Sequence, residues 1–151
     1  MLRPALAQEA RAMAEMSRTL IEAGLSWRYT PPRMAALIRD RETVALVAHD
    51  GSRVQGFAVM QFGDVHAHLV LLCVQPPQRH RGIGRRLTEW LVESAQVAGI
   101  ESIRLELRAD NAAALAFYRR LGFAETQLVP DYYDGQIPAR RMTLQLGAAR
   151  P

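Results

Sequence analysis

The sequence predicts a mixed α/β fold in a single domain. Three runs of strand-forming residues follow one another with only turn dipeptides between them, which predicts an antiparallel meander. Helical patterns precede this meander, and helix and strand patterns alternate after it. The chain has 151 residues, enough for one domain with a buried core. No repeat, low-complexity stretch or linker divides it, so residues 1–151 are expected to form one domain.

The first half of the chain supplies two helices and the meander. Apolar side chains recur at helical spacing over residues 5–23, and Gly24 is placed to end that helix. Thr30 followed by Pro31 is a helix-start signal, which predicts a short second helix up to about residue 39. The three strands are predicted at residues 43–49, 55–62 and 66–74.

The second half continues with alternating helices and strands. Asp110 and Asn111 are candidate N-caps for the second of two predicted helices. Gly99 and Gly122 are placed to end these helices. The predicted elements are a helix over 84–98, a strand over 103–108, a helix over 112–121 and a strand over 141–146.

The composition narrows the class of protein. All 19 basic residues are arginine and the formal net charge is +4, which suits phosphate and leaves nucleic acid open as a partner. This arginine usage, with alanine-rich helices, indicates a GC-rich bacterial genome. The single cysteine, Cys73, excludes an internal disulfide and favours the cytoplasm. No apolar run approaches the roughly 20 residues of a membrane helix, and Glu9 and Glu15 argue against a signal peptide.

An arginine-rich loop with two glycines follows the third strand of the meander. It reads Arg79-His80-Arg81-Gly82-Ile83-Gly84-Arg85 and runs into the predicted helix. Glycine lets backbone N–H groups converge on an anion, and a helix N-terminus adds about half a positive charge. The loop therefore predicts a phosphate site. It is not a P-loop, which requires lysine, nor a dinucleotide-binding turn, because Leu87 stands where a third glycine is required.

Motifs on both sides of this loop carry a family resemblance. They are Leu72-Cys73-Val74 before it, Arg79-x-x-Gly82-x-Gly84 within it, and Asn111, Phe117-Tyr118 and Leu121-Gly122-Phe123 after it. Together they resemble the GNAT superfamily of N-acetyltransferases. Leu105-Glu106, residues 108–114 and Tyr132-Tyr133 are most similar to the bacterial ribosomal-protein N-terminal (alanine) acetyltransferases. The resemblance is close over residues 69–133 and faint before them.

The resemblance implies both a fold and a reaction. The fold is a mostly antiparallel sheet flanked by helices on both faces, with the first strand short or missing, since residues 1–4 leave little room for it. The reaction is transfer of an acetyl group from acetyl-CoA to a primary amine by direct attack, without a metal ion. Glu106 falls at the position of the proton acceptor, Tyr118 at that of the proton donor, and Tyr132 and Tyr133 at the acceptor entrance. The residues implied to bind the coenzyme are Leu72, Cys73, Val74, Arg79, His80, Arg81, Gly82, Ile83, Gly84, Arg85 and Asn111.

The same positions also allow plainer interpretations. Glu106 alternates with apolar neighbours on its strand, so it faces either a cleft or a ladder of ion pairs with arginine. Asn111 is equally suited to cap a helix. Tyr118 is also suited to fill the core, as Ala114, Tyr118 and Leu121 share a helix face. Cys73 is expected to pack as a small hydrophobe and not to act as a nucleophile.

The sequence leaves the acceptor amine open. An α-amino group has a pKa of 7.7–8.0 against about 10.4 for lysine, so its proton is easier to remove by roughly 3.5 kcal/mol. This favours a protein or peptide N-terminus, and Tyr132 and Tyr133 fit either a peptide entrance or ordinary aromatic packing. Asp131, Pro138 and the pair 140–141 depart from the subfamily pattern, so a small-molecule amine such as a polyamine or aminoglycoside is the alternative.

Two further functions stay open at this point. One is a catalytically silent acyl-CoA sensor, which binds the coenzyme without turnover. The other is a nucleic-acid-binding module, which is disfavoured because the arginines cluster in one loop without interleaved aromatic residues. Either a monomer or a homodimer is compatible with the sequence.

Overall fold

The computed structural model describes residues 1–51 and 53–147, which form one mixed sheet with helices on both faces. The strands are β1 (Leu2–Pro4), β2 (Thr43–Asp50), β3 (Arg53–Phe62), β4 (His66–Val74), β5 (Ser102–Arg108), β6 (Ala124–Tyr133) and β7 (Ile137–Gln145). The helices are α1 (Ala10–Met16), α2 (Pro31–Arg39), α3 (Ile83–Val97) and α4 (Ala112–Arg120). In the order β1-β2-β3-β4-β5-β7-β6, all neighbours are antiparallel except β4 and β5. The predicted fold class is confirmed, with a short first strand.

The N-terminal helical segment differs from the continuous helix predicted for residues 5–23. It begins as a 3-10 turn at Ala7–Glu9, continues as α1 and widens into a π-helical turn at Ser17–Ile21. The spacing of apolar residues does not distinguish an α-helix from a π-helix over a single turn. The widened turn matters because Leu20 and Ile21 border the groove described below.

The prediction for the C-terminal hairpin was incomplete. The edge strand β6 was missed, and β7 begins at Ile137 and not at residue 141. Because β6 is exposed along nearly its whole length, it lacks the alternation of a half-buried strand. Pro138 argues against a strand at the start of β7, since proline lacks an N–H donor. Arg140 compensates, because its Nε donates to the Ala109 carbonyl (2.9 Å) beside the bond from the Ala109 N–H to the Pro138 carbonyl (3.0 Å).

A β-bulge at Val70 reverses the two faces of β4. Residues 59 and 60 of β3 pair with Leu71 and Leu69, which leaves Val70 unpaired on that side. Before the bulge, Leu69 packs into the core cluster shared with α3 and α4. After it, Leu71 packs into the cluster shared with α1 and α2. The strand thus contributes to the cores on both faces of the sheet.

β4 and β5 separate soon after they pair. Their parallel register covers only His66–His68 against Ser102–Arg104, although both strands continue well beyond it. Past that point the facing edges of the two strands have no strand-to-strand pairing with each other. Their backbone N–H and C=O groups therefore remain for other partners. This gap in the middle of the sheet is where the groove opens.

Candidate active site

A groove of about 480 Å³ lies along the gap between β4 and β5. Its walls come from both strands, the segment after the π turn, α4 and the β6–β7 hairpin. Among its lining residues are His68, Leu72, Glu106, Asn111, Tyr118, Tyr132 and Tyr133. The two residues predicted to be catalytic and the two predicted to bind the acceptor therefore share one cavity. The loop of residues 79–85 is not part of this lining and leads from the end of β4 into α3.

The predicted phosphate loop enters α3 through two residues with left-handed backbone, and anion binding there stays a prediction. Gly82 precedes α3 with φ = 80°, and His80 has φ = 64°, both in the left-handed region. Gly82 has no side chain with which to cap the helix, and the first N–H groups of a helix have no partner within it. These donors and the helix dipole are therefore directed at whatever lies in front of α3.

The loop arginines combine anchoring with exposure. Arg79 Nε donates to the Val74 carbonyl at 3.1 Å, which fastens the loop to the end of β4. Arg85 pairs with Glu89 one turn further along α3 at 3.1 Å, where both side chains are exposed. Arg81 is exposed as well. Exposed guanidinium groups at the start of α3 add positive charge to the N–H groups there.

Two predicted loop residues serve the packing of α3. Ile83 is buried in the core, so only its backbone is available to a ligand. A Cβ on Gly84 would lie 3.3 Å from Cζ of Phe117. Glycine is therefore favoured at position 84 because the Phe117 ring of α4 packs closely against its backbone. The sequence did not reveal this reason.

Cys73 and Asn111 follow their plainer interpretations. Cys73 is buried in the core beside α1 and α2, and burial raises the pKa of its thiol to about 12. At neutral pH it is an uncharged thiol and not a nucleophile. Asn111 Oδ1 accepts a hydrogen bond from the Ala114 N–H at 3.1 Å, so Asn111 caps α4. A contact between Asn111 and the coenzyme stays a prediction.

Glu106 is the most heavily bonded carboxylate of the groove. Its side chain is only 4% exposed. Oε1 accepts from His68 Nε2 at 2.6 Å and from the Tyr132 hydroxyl at 3.3 Å, and Oε2 accepts from Arg141 Nε at 2.7 Å. Burial by itself raises the pKa of a carboxyl, but the hydrogen bonds from His68 and Arg141 outweigh it and lower the pKa of Glu106 to about 2.

Sequence reasoning missed His68 and Arg141 as partners of Glu106. Arg141 lies directly opposite Glu106 in the β5–β7 register, and the sequence flagged it only as a departure from the subfamily pattern. His68 occupies a polar position of β4 between buried Ala67 and Leu69. That alternation was the available signal, because parallel neighbouring strands bring polar positions to the same face. Both alternatives for Glu106 therefore hold together: it borders a cleft and it is ion-paired with arginine.

Tyr118 joins the groove to the core. It is 8% exposed, and its ring packs edge to face against Phe117 and Phe123, with centroids 5.0 and 5.5 Å away. Burial raises the pKa of its hydroxyl, so the group stays protonated across the physiological range. Tyr118 is thus both a core aromatic and a groove residue, and the two interpretations of the sequence are compatible.

The neighbouring tyrosines 132 and 133 both reach the groove, which a regular strand would not allow. Successive side chains of a strand point to opposite faces, but β6 bulges between Val129 and Tyr133. Within the bulge Asp131 has φ = 55°, a conformation that aspartate and asparagine tolerate better than most residues. The departure at position 131 from the expected asparagine therefore preserves the backbone geometry. The two rings meet edge to face at 4.9 Å.

The hairpin end and the segment before α2 are tied together across the groove. Asp134 Oδ2 accepts from the Ser26 N–H at 2.8 Å, and its carboxylate lies 3.7 Å from the Arg28 guanidinium. Buried Glu22 holds the same segment by accepting from the Arg28 N–H at 2.7 Å. Arg108 donates to the backbone carbonyls of Ile21 and Ala23, at the start of that segment. An acceptor must therefore enter a groove bridged on one side, and none of these ties was predicted.

Two general features complete the site. No helix among the described residues is long and apolar enough to cross a membrane. In the same part of the chain, no group of three or more histidine, cysteine, aspartate or glutamate side chains is arranged to hold a metal ion.

Comparison with known proteins identifies relatives across most of the chain. The ribosomal protein bS18-alanine N-acetyltransferase of Salmonella typhimurium is 40% identical over 81 residues, 54% of this chain and 55% of that protein. N-alpha-acetyltransferase 30 of Schizosaccharomyces pombe is 31% identical over 131 residues, 83% of this chain and 87% of that protein. The crystal structure of the ribosomal-protein-S18-alanine N-acetyltransferase from Escherichia coli is similar with a TM-score of 0.82 at 25% identity, over 99% of this chain and 96% of that one.

The matched region contains the loop and the two separating strands. The Salmonella match spans about half the length of that relative, whereas the fission-yeast match spans most of both proteins. The model of the Acetyltransferase (GNAT) family matches residues 10–123, which include β4, β5, α3 and α4, and the β6–β7 hairpin lies after the match. The chain belongs to the acetyltransferase (GNAT) family.

Proposed function

We propose that this chain is an acetyl-CoA-dependent N-acetyltransferase that modifies the N-terminal amine of a protein or peptide by direct attack. The observation that carries the proposal is that Glu106 and Tyr118 border the same groove. The N-terminus of α3, which has no side-chain cap, supports it. The names of the Salmonella and fission-yeast relatives support the reaction, and the former supports alanine as the modified residue. We expect the reaction to occur in the cytoplasm, where ribosomal proteins are made.

The coenzyme fits the donors at the end of β4. The backbone N–H groups at the start of α3, with Arg81 and Arg85, would hold the pyrophosphate. The edge of β4 at Leu72–Val74 faces the gap and has no strand partner on that side. Its backbone groups would take the amide groups of the pantetheine arm like an added strand. In bound acetyl-CoA the thioester supplies the acetyl group, and the remaining chemistry belongs to side chains of the groove.

Glu106 contributes to proton removal through a neighbour and not by direct contact. An α-ammonium has a pKa of 7.7–8.0 and must lose a proton before it can attack a carbonyl. Even an ordinary glutamate pKa lies more than about 3 units below that of an α-amine, so direct transfer is uphill by more than ~4 kcal/mol, and the hydrogen bonds from His68 and Arg141 lower the pKa of Glu106 further. The proton therefore passes to a water or to the neighbouring imidazole, and the fixed carboxylate stabilises the cation formed there.

Tyr118 stabilises the departing sulfur by a hydrogen bond and relays a proton to it. A buried hydroxyl with a raised pKa stays protonated, so it can donate a hydrogen bond to a thiolate as negative charge develops. Among the described residues the hydroxyl has no hydrogen-bond partner, which leaves it available to a ligand in the groove. Its ring is held by edge-to-face packing, so little ordering is needed before reaction.

The part of the groove where we expect the acceptor to bind suits an extended peptide N-terminus. Tyr132 and Tyr133 border the groove, and the link from Asp134 to Ser26 bridges it. A peptide N-terminus is slim and carries the amine with the lower pKa, whereas a lysine ammonium requires roughly 3.5 kcal/mol more to lose its proton. Both features favour an α-amine over a lysine side chain.

The test is an acceptor screen with purified protein and acetyl-CoA. Peptides that begin with alanine are compared with the same peptides blocked at the N-terminus but carrying one internal lysine, and with a polyamine and an aminoglycoside. Release of CoA thiol and mass spectrometry of the acceptor report transfer. We expect acetylation at the free N-terminus only. Preferential acetylation of a small amine would replace the proposed acceptor, and coenzyme binding without any transfer would reduce the chain to a sensor.

A further inference from the structure

His68 stands at the point where the central sheet opens. It is the last residue of β4 in register with β5, and its partner there is Arg104. The imidazole reaches along β5 to Glu106, with Nε2 2.6 Å from Oε1. Its side chain is 30% exposed and borders the groove that Tyr118 also lines. A histidine in this position faces the acceptor space, whereas the Glu106 carboxylate behind it is almost completely covered.

The hydrogen bond to Glu106 fixes which imidazole nitrogen carries the proton. A carboxylate can only accept, so Nε2 must be the donor in the bond to Oε1. In the neutral ring Nδ1 then bears the free lone pair. Among the described residues Nδ1 has no hydrogen-bond partner. The arrangement therefore leaves one basic nitrogen beside the groove and fixes its tautomer.

The oxygens of Glu106 are already engaged. Oε2 accepts from Arg141 and Oε1 from both His68 and Tyr132. An incoming ammonium would have to displace one of these donors to reach the carboxylate. The imidazole needs no such displacement, because its Nδ1 has no hydrogen-bond partner among the described residues and imidazole is a common general base.

We propose that His68 takes the proton from the acceptor amine at Nδ1, and that Glu106 and Arg141 are positioning residues that hold the imidazole in place. This inference rests on the proposed acetyl transfer. It gives a direct catalytic role to His68, which was not selected from the sequence. Glu106, which was selected as the proton acceptor, has an indirect role.

The protons balance across the reaction. The ammonium gives one proton to Nδ1, and its nitrogen then forms a bond to the thioester carbonyl carbon. As the C–S bond breaks, the second proton of the nitrogen passes to sulfur through the Tyr118 hydroxyl, so that Tyr118 is neutral before and after the step. The protonated imidazole, stabilised by the Glu106 carboxylate, gives its proton to water. No oxidant or metal ion is needed.

Charged and titratable groups from several elements lie beside Glu106 or border the groove. Arg104 and Arg108 lie with Glu106 on the polar face of β5, Arg141 approaches from β7, and Tyr132 and Tyr133 approach from β6. Glu22, Arg28 and Tyr29 border the groove from the segment before α2, and Asp110 and Asp134 border it from the loops. The nearest charge is the Glu106 carboxylate, 2.6 Å from His68 Nε2, and that carboxylate is also 2.7 Å from Arg141 Nε.

The experiment compares His68→Gln with His66→Gln over pH 6 to 10. Glutamine at position 68 keeps an N–H donor for Glu106 but has no titratable nitrogen. His66 lies on the same strand, binds Ser102 (2.6 Å) and does not border the groove, so its variant is the matched control. We expect kcat/KM of His68→Gln to fall ~100-fold at neutral pH and the deficit to narrow as the acceptor amine loses its own proton. Acetyl-CoA binding and the rate of His66→Gln should stay at wild-type values.

Two results would overturn the inference. One is a His68→Gln deficit that is the same at every pH, which would mean a purely structural role. The other is wild-type activity in that variant. Nitrogen NMR of the labelled wild-type protein tests the tautomer without turnover, and a neutral ring protonated at Nδ1 would also contradict the inference. If the wild-type protein acetylates no amine at all, the proposed function fails instead, and the NMR result still reports on His68.

Discussion

Replacing Glu106 by glutamine should change how the stability of the protein depends on pH. The pKa of Glu106 is lowered from 4.5 to about 2 in the folded protein. A carboxyl with a lowered folded pKa stabilises the protein above its unfolded pKa, and this contribution is lost as pH falls through the folded pKa. At 1.36 kcal/mol per unit, the shift corresponds to roughly 3 kcal/mol, of which ~2 kcal/mol is lost between pH 5 and pH 3. Glutamine cannot titrate, so its variant lacks this loss.

The assay is urea denaturation of both proteins at pH 5 and pH 3, followed by tryptophan fluorescence. This range lies below the ordinary pKa of imidazole, so histidine titration contributes little. Other carboxyls with lowered pKa values, such as Glu9 and Asp40, are present in both proteins and cancel in the comparison. We expect Glu106→Gln to be less stable than wild type at pH 5, with the gap closing by ~2 kcal/mol at pH 3.

The matched control is Glu93→Gln, because Glu93 is an exposed carboxylate of α3. Its stability should follow the wild-type pH dependence. If the difference between wild type and Glu106→Gln is the same at both pH values, then His68 and Arg141 do not hold the carboxylate ionised, and the reasoning about the groove is wrong.

Three further outcomes follow from single contacts. Tyr118→Phe should lower kcat ~100-fold and leave acetyl-CoA affinity unchanged in a binding titration, because only the proton donor is removed; a change in affinity alone would contradict this. Gly84→Val should lower the free energy of unfolding by ~1–3 kcal/mol in a urea titration, since its side chain would press on the Phe117 ring; wild-type stability would mean that α4 can shift. Asp131→Asn should be neutral and Asp131→Val should cost ~1–3 kcal/mol, because φ is 55° there; equal stability of the two variants would show that the bulge relaxes.

The central elements were predictable because their signals are local. Strand alternation, helix spacing and the Thr30-Pro31 start each concern residues within a few positions of one another. The prediction failed where local signals were weak or misleading, as in the exposed β6 and the strand start at Pro138. Exposed strands lack a buried face and therefore lack a period, and the donor that compensates for Pro138 is the side chain of Arg140.

In the candidate site, too, some residues could be selected from the sequence and others could not. Glu106, Tyr118, Tyr132 and Tyr133 were selected from motifs, and the structure brings all of them to one groove. Their roles in catalysis and acceptor binding stay predictions. His68 was not selected, because a histidine at a polar strand position is an ordinary feature until its neighbour on the next strand is known.

By itself, the sequence determined the fold class, the position of the glycine-containing loop before α3 and four of the side chains that line the groove. These follow from periodicity, from glycine placement and from motifs read along the chain. Only the tertiary structure decided the environment of Glu106, because its partners His68 and Arg141 come from β4 and β7. His68 lies 38 positions before Glu106 and Arg141 lies 35 positions after it, and the register of the strands brings the three side chains together. Register depends on the packing of the whole sheet and is not encoded in any short segment.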